Sequence, residues 1–354
     1  MTFLIVRLGA LGDIVHAIPV AAALRRAYPS ARIDWLVSAK HRAILDLVPV
    51  IDRRLVINDR RFAGPGGGSS AAAPLWSLWS LLRELRRARY DVAIDLQGLI
   101  KSALLARSSG APRVVGFSSQ YARESLARLF YTDVHNPGRG GLYNPRETRH
   151  VVEINLGLLD AIGVAPGSPE FPIDAVDSAV ARRATEKAGG RYALINPGAA
   201  WPNKRWPPDR FGAVAATLRD RHGLRSAVLW GPGEQPLAAA TVAASAGAAF
   251  ATDETTIADV VALARGAAVM VSGDTGPTHI ASAVGTPVVG LYGPTRAVRN
   301  GPLDAADVSV SRDAVCQCHH LRRCKLDRMC LLDIEVAEVA AAVEQRLAAR
   351  SSRA

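Results

Sequence analysis

Two Rossmann-like α/β domains, each built on a doubly wound parallel sheet, are what this sequence predicts. Short apolar runs alternate with amphipathic stretches. The alternation halts in a Pro-, Gly- and Ser-rich segment from Gly163 to about Asp177, and then it restarts. A length of 354 residues suits two domains, each large enough to bury its own core. The expected division is a first domain over 1–165, a linker over 166–188, a second domain over 189–330, and a C-terminal helix and tail over 331–354.

In the first half, residues 3–8, 33–37, 55–57, 92–96 and 114–117 read as strands, with helices over 21–27, 75–88 and 99–108. Leu75, Leu78, Leu82 and Leu85 form an apolar stripe at helical spacing, so Trp76 and Trp79 are expected to pack against the core. Residues 63–74 (AGPGGGSSAAAP) form a low-complexity loop with Arg60 and Arg61 at its threshold. In the second half, strands are expected over 192–195, 226–229, 269–271 and 287–292, helices over 209–221, 236–246 and 257–265, and a final amphipathic helix over 331–345. Two such halves place a cleft between the carboxyl ends of their sheets, where ligands bind in open α/β folds.

Hydrophobic residues make up 49% of the chain and charged residues 21%, the balance of a globular protein. No apolar stretch reaches the ~18 residues of a membrane span. The start, FLIVRLGALGDIVHAIPV, is broken by Arg7 and Asp13 and fits a buried strand and helix better than a signal peptide, so a cytoplasmic location is expected. A formal charge of +11 points to anionic partners. The aromatic residues are not interleaved with basic clusters as on a single-strand platform, so an anionic small substrate or a membrane surface is favoured over nucleic acid. The four cysteines, Cys316, Cys318, Cys324 and Cys330, match no standard zinc spacing. His319 and His320 beside them keep a metal conceivable, against a structural or adventitious role for the thiols.

Four motifs follow strands. Arg7-Leu8-Gly9-Ala10-Leu11-Gly12-Asp13 is not a dinucleotide fingerprint. Its Asp13, at a helix start, can accept a proton from a sugar hydroxyl or simply cap the helix. Asn196-Pro197-Gly198-Ala199-Ala200 leads to Lys204, a point charge suited to a diphosphate, or a solvated surface lysine. Trp230-Gly231-Pro232-Gly233-Glu234 ends in a carboxylate suited to ribose hydroxyls, or in a plain helix-start glutamate. In SGDTGPTHIASAVGTP, residues 272–287, Asp274 or Thr275 is the natural N-cap of a small-residue helix. Its free N–H groups favour an anion, Gly276 lets a ligand approach, and His279 lies one turn in.

In order and spacing these elements resemble glycosyltransferase family 9, which contains the ADP-heptose:lipopolysaccharide heptosyltransferases. The segments that carry the likeness are LIVRLGALGDIVHAIPVAAALR, YDVAIDLQGLIKSALLA, QYARESLARLFY and VSGDTGPTHIASAVGTPVVGLYGPT, spread over nearly the whole chain. QYARESLARLFY points to the first-heptose (type I) subgroup. The resemblance implies a GT-B fold, two Rossmann-like domains facing across a cleft. It implies Asp13 as general base, Lys204 on the sugar donor's diphosphate and Glu234 on its ribose. Asp274, Thr275, Gly276 and His279 then close around diphosphate and sugar, and Arg60, Arg61 and Arg123 are candidate clamps for the acceptor. The implied donor is ADP-heptose. The implied acceptor is Kdo-lipid A, met by a monomer at the cytoplasmic face of the inner membrane, with no cofactor or metal. The implied reaction is an inverting transfer in which Lys204 and the helix start meet the charge on the departing ADP.

The cysteine spacing and the residues after Asn196 depart from the family pattern, so no role is carried onto the cysteines and the sugar donor is less sharply specified than the class. The alternatives are a member with another sugar or acceptor, such as the type II enzymes, a non-catalytic nucleotide-binding protein, and charge-driven nucleic-acid binding. Intact Asp13, Lys204, Glu234 and Asp274 speak against a degenerate site.

Overall fold

The computed structural model describes residues 1–58, 72–138, 140–142, 144, 147–319, 321–326 and 328–351. Arg60, Arg61, His320 and residues 63–71 of the expected low-complexity loop lie outside them, as does the Trp76 side chain. The chain divides into two compact units, Met1–Asp174 and Ala175–Ala354.

In the first unit, strands β1 (Thr2–Val6), β2 (Arg32–Ser38), β3 (Arg53–Ile57), β4 (Val92–Asp95), β5 (Arg113–Phe117) and β6 (Asp133–His135) form one sheet in the order β3-β2-β1-β4-β5-β6. Every neighbouring pair is parallel. Phe3, Leu4, Ile5 and Val6 are fully buried, as a central strand covered on both faces by helices requires.

The second unit repeats the plan with β7 (Tyr192–Asn196), β8 (Ser226–Val228), β9 (Ala249–Ala251), β10 (Ala267–Gly273), β11 (Val288–Tyr292) and β12 (Val308–Ser311), in the order β12-β11-β10-β7-β8-β9. Here too every pair is parallel. Counted from its own first strand, this is the order of the first unit. The order reverses between β1 and β4 in one sheet and between β7 and β10 in the other. Such switch points open a crevice at the carboxyl ends of the strands, and the motifs after β1, β7 and β10 all stand there.

Helix punctuation follows the sequence. Pro208–His222 opens on proline and stops at Gly223, whose φ of 64° is left-handed. Ile257–Gly266 starts with a capping box between Thr256 and Asp259. The last helix, Val336–Ser351, adds Val339 and Val343 to the core of its unit, beside Trp206 and Phe211.

Several expectations need correction. Residues 179–188, assigned to the linker, form helix Ala179–Ala188. Ser178 caps it by accepting from the Ala181 N–H, and Val180 and Ala184 form its buried face. Its otherwise polar composition hid that stripe. Three strands went unread, β6, β9 and β12, all at sheet edges, where short half-exposed segments carry no apolar run. Helix Val151–Gly157 was also missed. Residues 72–74, placed in the loop, open helix Ala72–Arg87. On that helix Leu81 and Leu85 are buried, but Trp79 is 65% exposed. It shares the polar face of Arg83 and Arg86, four and seven residues on, rather than the leucine stripe.

Candidate functional site

In the first unit the chain leaves β1 at Arg7 and turns into the short helix Leu11–Val15. A Cβ on Gly9 would lie 2.7 Å from the His41 ring, so a larger residue in this turn would displace that ring. Asp13, in the first turn of that helix, sits between two guanidinium groups. Its Oδ1 is 2.9 Å from Arg7 Nη2, and its Oδ2 is 2.9 Å from Arg123 Nη2. Oδ2 also accepts from the Ala10 N–H at 3.1 Å. Arg7 is buried, and its Nη1 donates to the Leu96 carbonyl. The Arg123 named as an acceptor clamp is thus held against Asp13.

A second layer lies behind this arrangement. Asp95, fully buried at the end of β4, accepts from the Gln97 N–H at 2.8 Å, Ser102 Oγ at 2.8 Å and Tyr131 OH at 2.8 Å. Burial raises its pKa against the pull of those donors. Gln97 Oε1 in turn accepts from the Leu8 N–H at 2.8 Å, and Leu96 supplies the carbonyl for Arg7. Asp95 therefore shapes the loop that fixes Arg7. Sequence reasoning quoted Arg7 within its motif without a role and overlooked Asp95. The available signal was a charged residue at the carboxyl end of both β1 and β4.

In the second unit Lys204, on the turn Pro202–Lys204 beyond β7, places Nζ 2.5 Å from Asp274 Oδ2 and 4.6 Å from the centre of the Trp201 ring. His279 Nε2 lies 3.0 Å from the other carboxylate oxygen. Asp274 is only 3% exposed along its side chain. Burial alone would raise its pKa, but the Lys204 charge and the His279 hydrogen bond hold it well below the usual carboxylate range.

Thr275 occupies the N-cap position of helix Gly276–Ala283 with extended backbone and no side-chain cap. Its hydroxyl instead takes a 3.0 Å bond from Asn196 Nδ2 and lies 3.0 Å from Thr278 Oγ1. Asn196 Nδ2 also reaches Ser272 Oγ at 3.1 Å, stitching β7 to β10 at the switch point. With no capping side chain over it, the start of this helix keeps the positive dipole end and the backbone donors other than that of Pro277, which has none, and these suit an anion. Glu234 precedes helix Gln235–Ala243, with Oε2 accepting from the Gly231 N–H at 3.1 Å. A Cβ on Gly198 would fall 2.1 Å from that oxygen, so a side chain at 198 would push the Glu234 carboxylate out of its place.

Lys204, Asp274, Thr275, Gly276 and His279 are therefore one cluster, with Glu234 against the neighbouring loop, and Asp13 pairs with Arg123. Among the described residues no helix is long and apolar enough to cross a membrane.

The chain matches the model of glycosyltransferase family 9 (heptosyltransferase) over residues 78–329. It is 28% identical to lipopolysaccharide heptosyltransferase 1 of Pseudomonas aeruginosa over 334 residues, covering 89% of this chain and 85% of that protein. It is 26% identical to lipopolysaccharide heptosyltransferase 3 of Escherichia coli, covering 80% of each. The structure of E. coli heptosyltransferase WaaC with ADP superposes with a TM-score of 0.77 at 23% identity, covering 98% of this chain and all of that one. That likeness is one of GT-B fold.

Proposed function

The chain belongs to glycosyltransferase family 9, the heptosyltransferases of the lipopolysaccharide core, and from that premise we propose that it moves a heptose from ADP-heptose to a Kdo hydroxyl of Kdo-lipid A. The observation that carries this reading is the Lys204–Asp274–His279 cluster beside an uncapped helix start, at the switch point where an open α/β sheet takes its ligand.

In this reading the second unit binds the sugar donor. Asp274 is a positioning residue, since both of its oxygens are engaged by Lys204 and His279. It aims the ammonium and the imidazole at the diphosphate. As the glycosidic bond lengthens, charge grows on the departing ADP. Lys204 and the first-turn amides of helix Gly276–Ala283 meet that charge, so the transfer needs no divalent ion. Thr275 and Gly276 line the approach, and Glu234 takes the ribose hydroxyls.

The first unit supplies the base. Asp13 takes the proton of the attacking Kdo hydroxyl as its oxygen bonds the anomeric carbon on the face opposite ADP, which inverts that centre. Arg7 and Arg123 fix the orientation of the carboxylate. Arg123, together with Arg60 and Arg61, offers guanidinium forks to the carboxylates and phosphates of the acceptor. A lipid acceptor places the protein at the cytoplasmic face of the inner membrane.

The second reading, a later core acceptor, draws support from the likeness to heptosyltransferase 3. One experiment separates the two. The protein is incubated with ADP-heptose and either Kdo-lipid A or an acceptor already carrying one heptose, and products are read by mass spectrometry. One added heptosyl residue on Kdo-lipid A supports the first reading. Transfer only to the heptosylated acceptor supports the second, and no transfer to either, with salt-sensitive DNA binding, would remove both.

A further inference from the structure

Behind the Lys204 turn lies the segment that holds all four cysteines. Cys318 Sγ and Cys324 Sγ are 3.2 Å apart, in contact, and both are free thiols. Between them in sequence, the Leu321 carbonyl accepts from Asn203 Nδ2 at 2.9 Å. Asn203 is buried and immediately precedes Lys204. The segment spanned by the two thiols therefore props the turn that presents the lysine.

We propose that Cys318 and Cys324 are a redox-active dithiol, and that closing it to a disulfide braces the Lys204 turn. The inference rests on Lys204 as a contact of the sugar donor's diphosphate. A disulfide needs the sulfurs at about 2.05 Å, so closure asks for a movement of roughly 1 Å within one loop. The sulfurs of Cys318 and Cys324 already touch, and Cys316 and Cys330 stand beside them as a second interacting pair.

The two thiols differ in access and acidity. Cys324 is half-buried and reachable, whereas Cys318 is buried. The Lys325 N–H donates to Cys318 Sγ at 3.2 Å and, with the Cys324 thiol, holds Cys318 below the ordinary thiol range. Burial and the hydrogen bond to Cys318 raise the Cys324 thiol, so its claim to attack first is its access, and burial pushes the Cys330 thiol up to about 12.

The oxidant is a small-molecule disulfide such as glutathione disulfide. The Cys324 thiolate attacks one of its sulfurs, forming a mixed disulfide and expelling one glutathione thiolate. The Cys318 thiolate then attacks Cys324 Sγ, forming the internal bond and expelling the second. The two protons lost by the cysteines end on the two glutathiones, and the two electrons given up by the protein reduce the glutathione disulfide.

The full chain is equilibrated in buffers of defined glutathione to glutathione-disulfide ratio, alkylated, digested with trypsin and read by mass spectrometry. The expected product is a reversible linkage between the peptides of Cys318 and Cys324. It should persist in Cys316→Ser and be absent in Cys318→Ser and Cys324→Ser, with Cys324→Ala as a second variant and thermal unfolding confirming the fold of each. By calorimetry the oxidised form should bind ADP about two- to tenfold more tightly, the scale of fixing one flexible side chain in advance. That difference should vanish in Cys324→Ser.

Thiols that stay reduced in excess glutathione disulfide, a linkage to Cys316 or Cys330 instead, or stoichiometric zinc that shields them would overturn the dithiol. A redox effect on ADP affinity that survives in Cys324→Ser would overturn the brace. Loss of ADP binding in both redox states would count against Lys204 as the phosphate contact, while the linked peptide would still establish the dithiol.

Discussion

Replacing Lys204 by Met separates a half-buried, task-bearing lysine from a solvated one. Its ammonium sits 2.5 Å from a carboxylate only 3% exposed, while the lysine side chain is 15% exposed. At an effective dielectric of about 20, a pair so close attracts by roughly 6–7 kcal/mol, most of it offset by desolvation. The relevant loss is the uncompensated carboxylate left behind, about 3–5 kcal/mol. For a domain of this size that lowers the melting temperature by about 6–20 °C.

The pH dependence has a definite sign. Asp274 has a depressed pKa in the folded state, so its contribution is complete above the unfolded value of about 3.9 and is lost as pH falls below it. In Lys204→Met the stability at neutral pH should drop toward the acid value of the parent. The double variant Lys204→Met/Asp274→Asn should recover most of the loss, because it leaves no stranded charge. ADP affinity, followed by calorimetry, should fall about ten- to hundredfold in both variants, the range of a charge-assisted hydrogen bond. A Lys204→Met protein with unchanged melting temperature and unchanged ADP affinity would refute the reasoning and return the lysine to the solvent.

Three further outcomes are expected. Arg7→Met should cut kcat at least tenfold while leaving the KM for ADP-heptose within about twofold, since it loosens Asp13 and touches no sugar donor; steady-state kinetics checks this, and a rise in KM alone would contradict it. Saturating chelator should leave the transfer rate within about twofold, because Lys204 and backbone amides carry the ADP charge; activity lost on metal removal and restored by the metal would contradict it. The pair Arg60→Gln/Arg61→Gln should raise the acceptor's KM and flatten its salt dependence with the sugar donor's parameters unchanged, and an acceptor used as well as by the parent protein would leave the basic charge without that role.

The central strands were legible because each is a short apolar run ending in turn residues; β1, β4, β7 and β10 needed no tertiary information. The edge strands β6, β9 and β12 were not, since a half-exposed segment such as Asp133–His135 is read only against its neighbour. The strand-end motifs carried the candidate site, because the open end of a parallel sheet is where side chains leave the core. What stayed hidden was side-chain partnership. Nothing local says that Arg123 folds back onto Asp13, 110 positions away, or that Asn203 bonds the Leu321 carbonyl, 118 positions on. Trp79 failed for the opposite reason, as a large aromatic residue was credited with burial that its helical position denies it.

The central claim is that Asp13 takes the acceptor's proton in a heptosyl transfer. Its most direct test is the single-turnover rate of Asp13→Ala with ADP-heptose and Kdo-lipid A, measured alongside ADP affinity and melting temperature. The account predicts a rate lower by about 10²–10⁴, with ADP affinity unchanged and the protein folded. A folded variant that transfers heptose at the parent rate would contradict it and leave Asp13 as no more than a partner for Arg7 and Arg123.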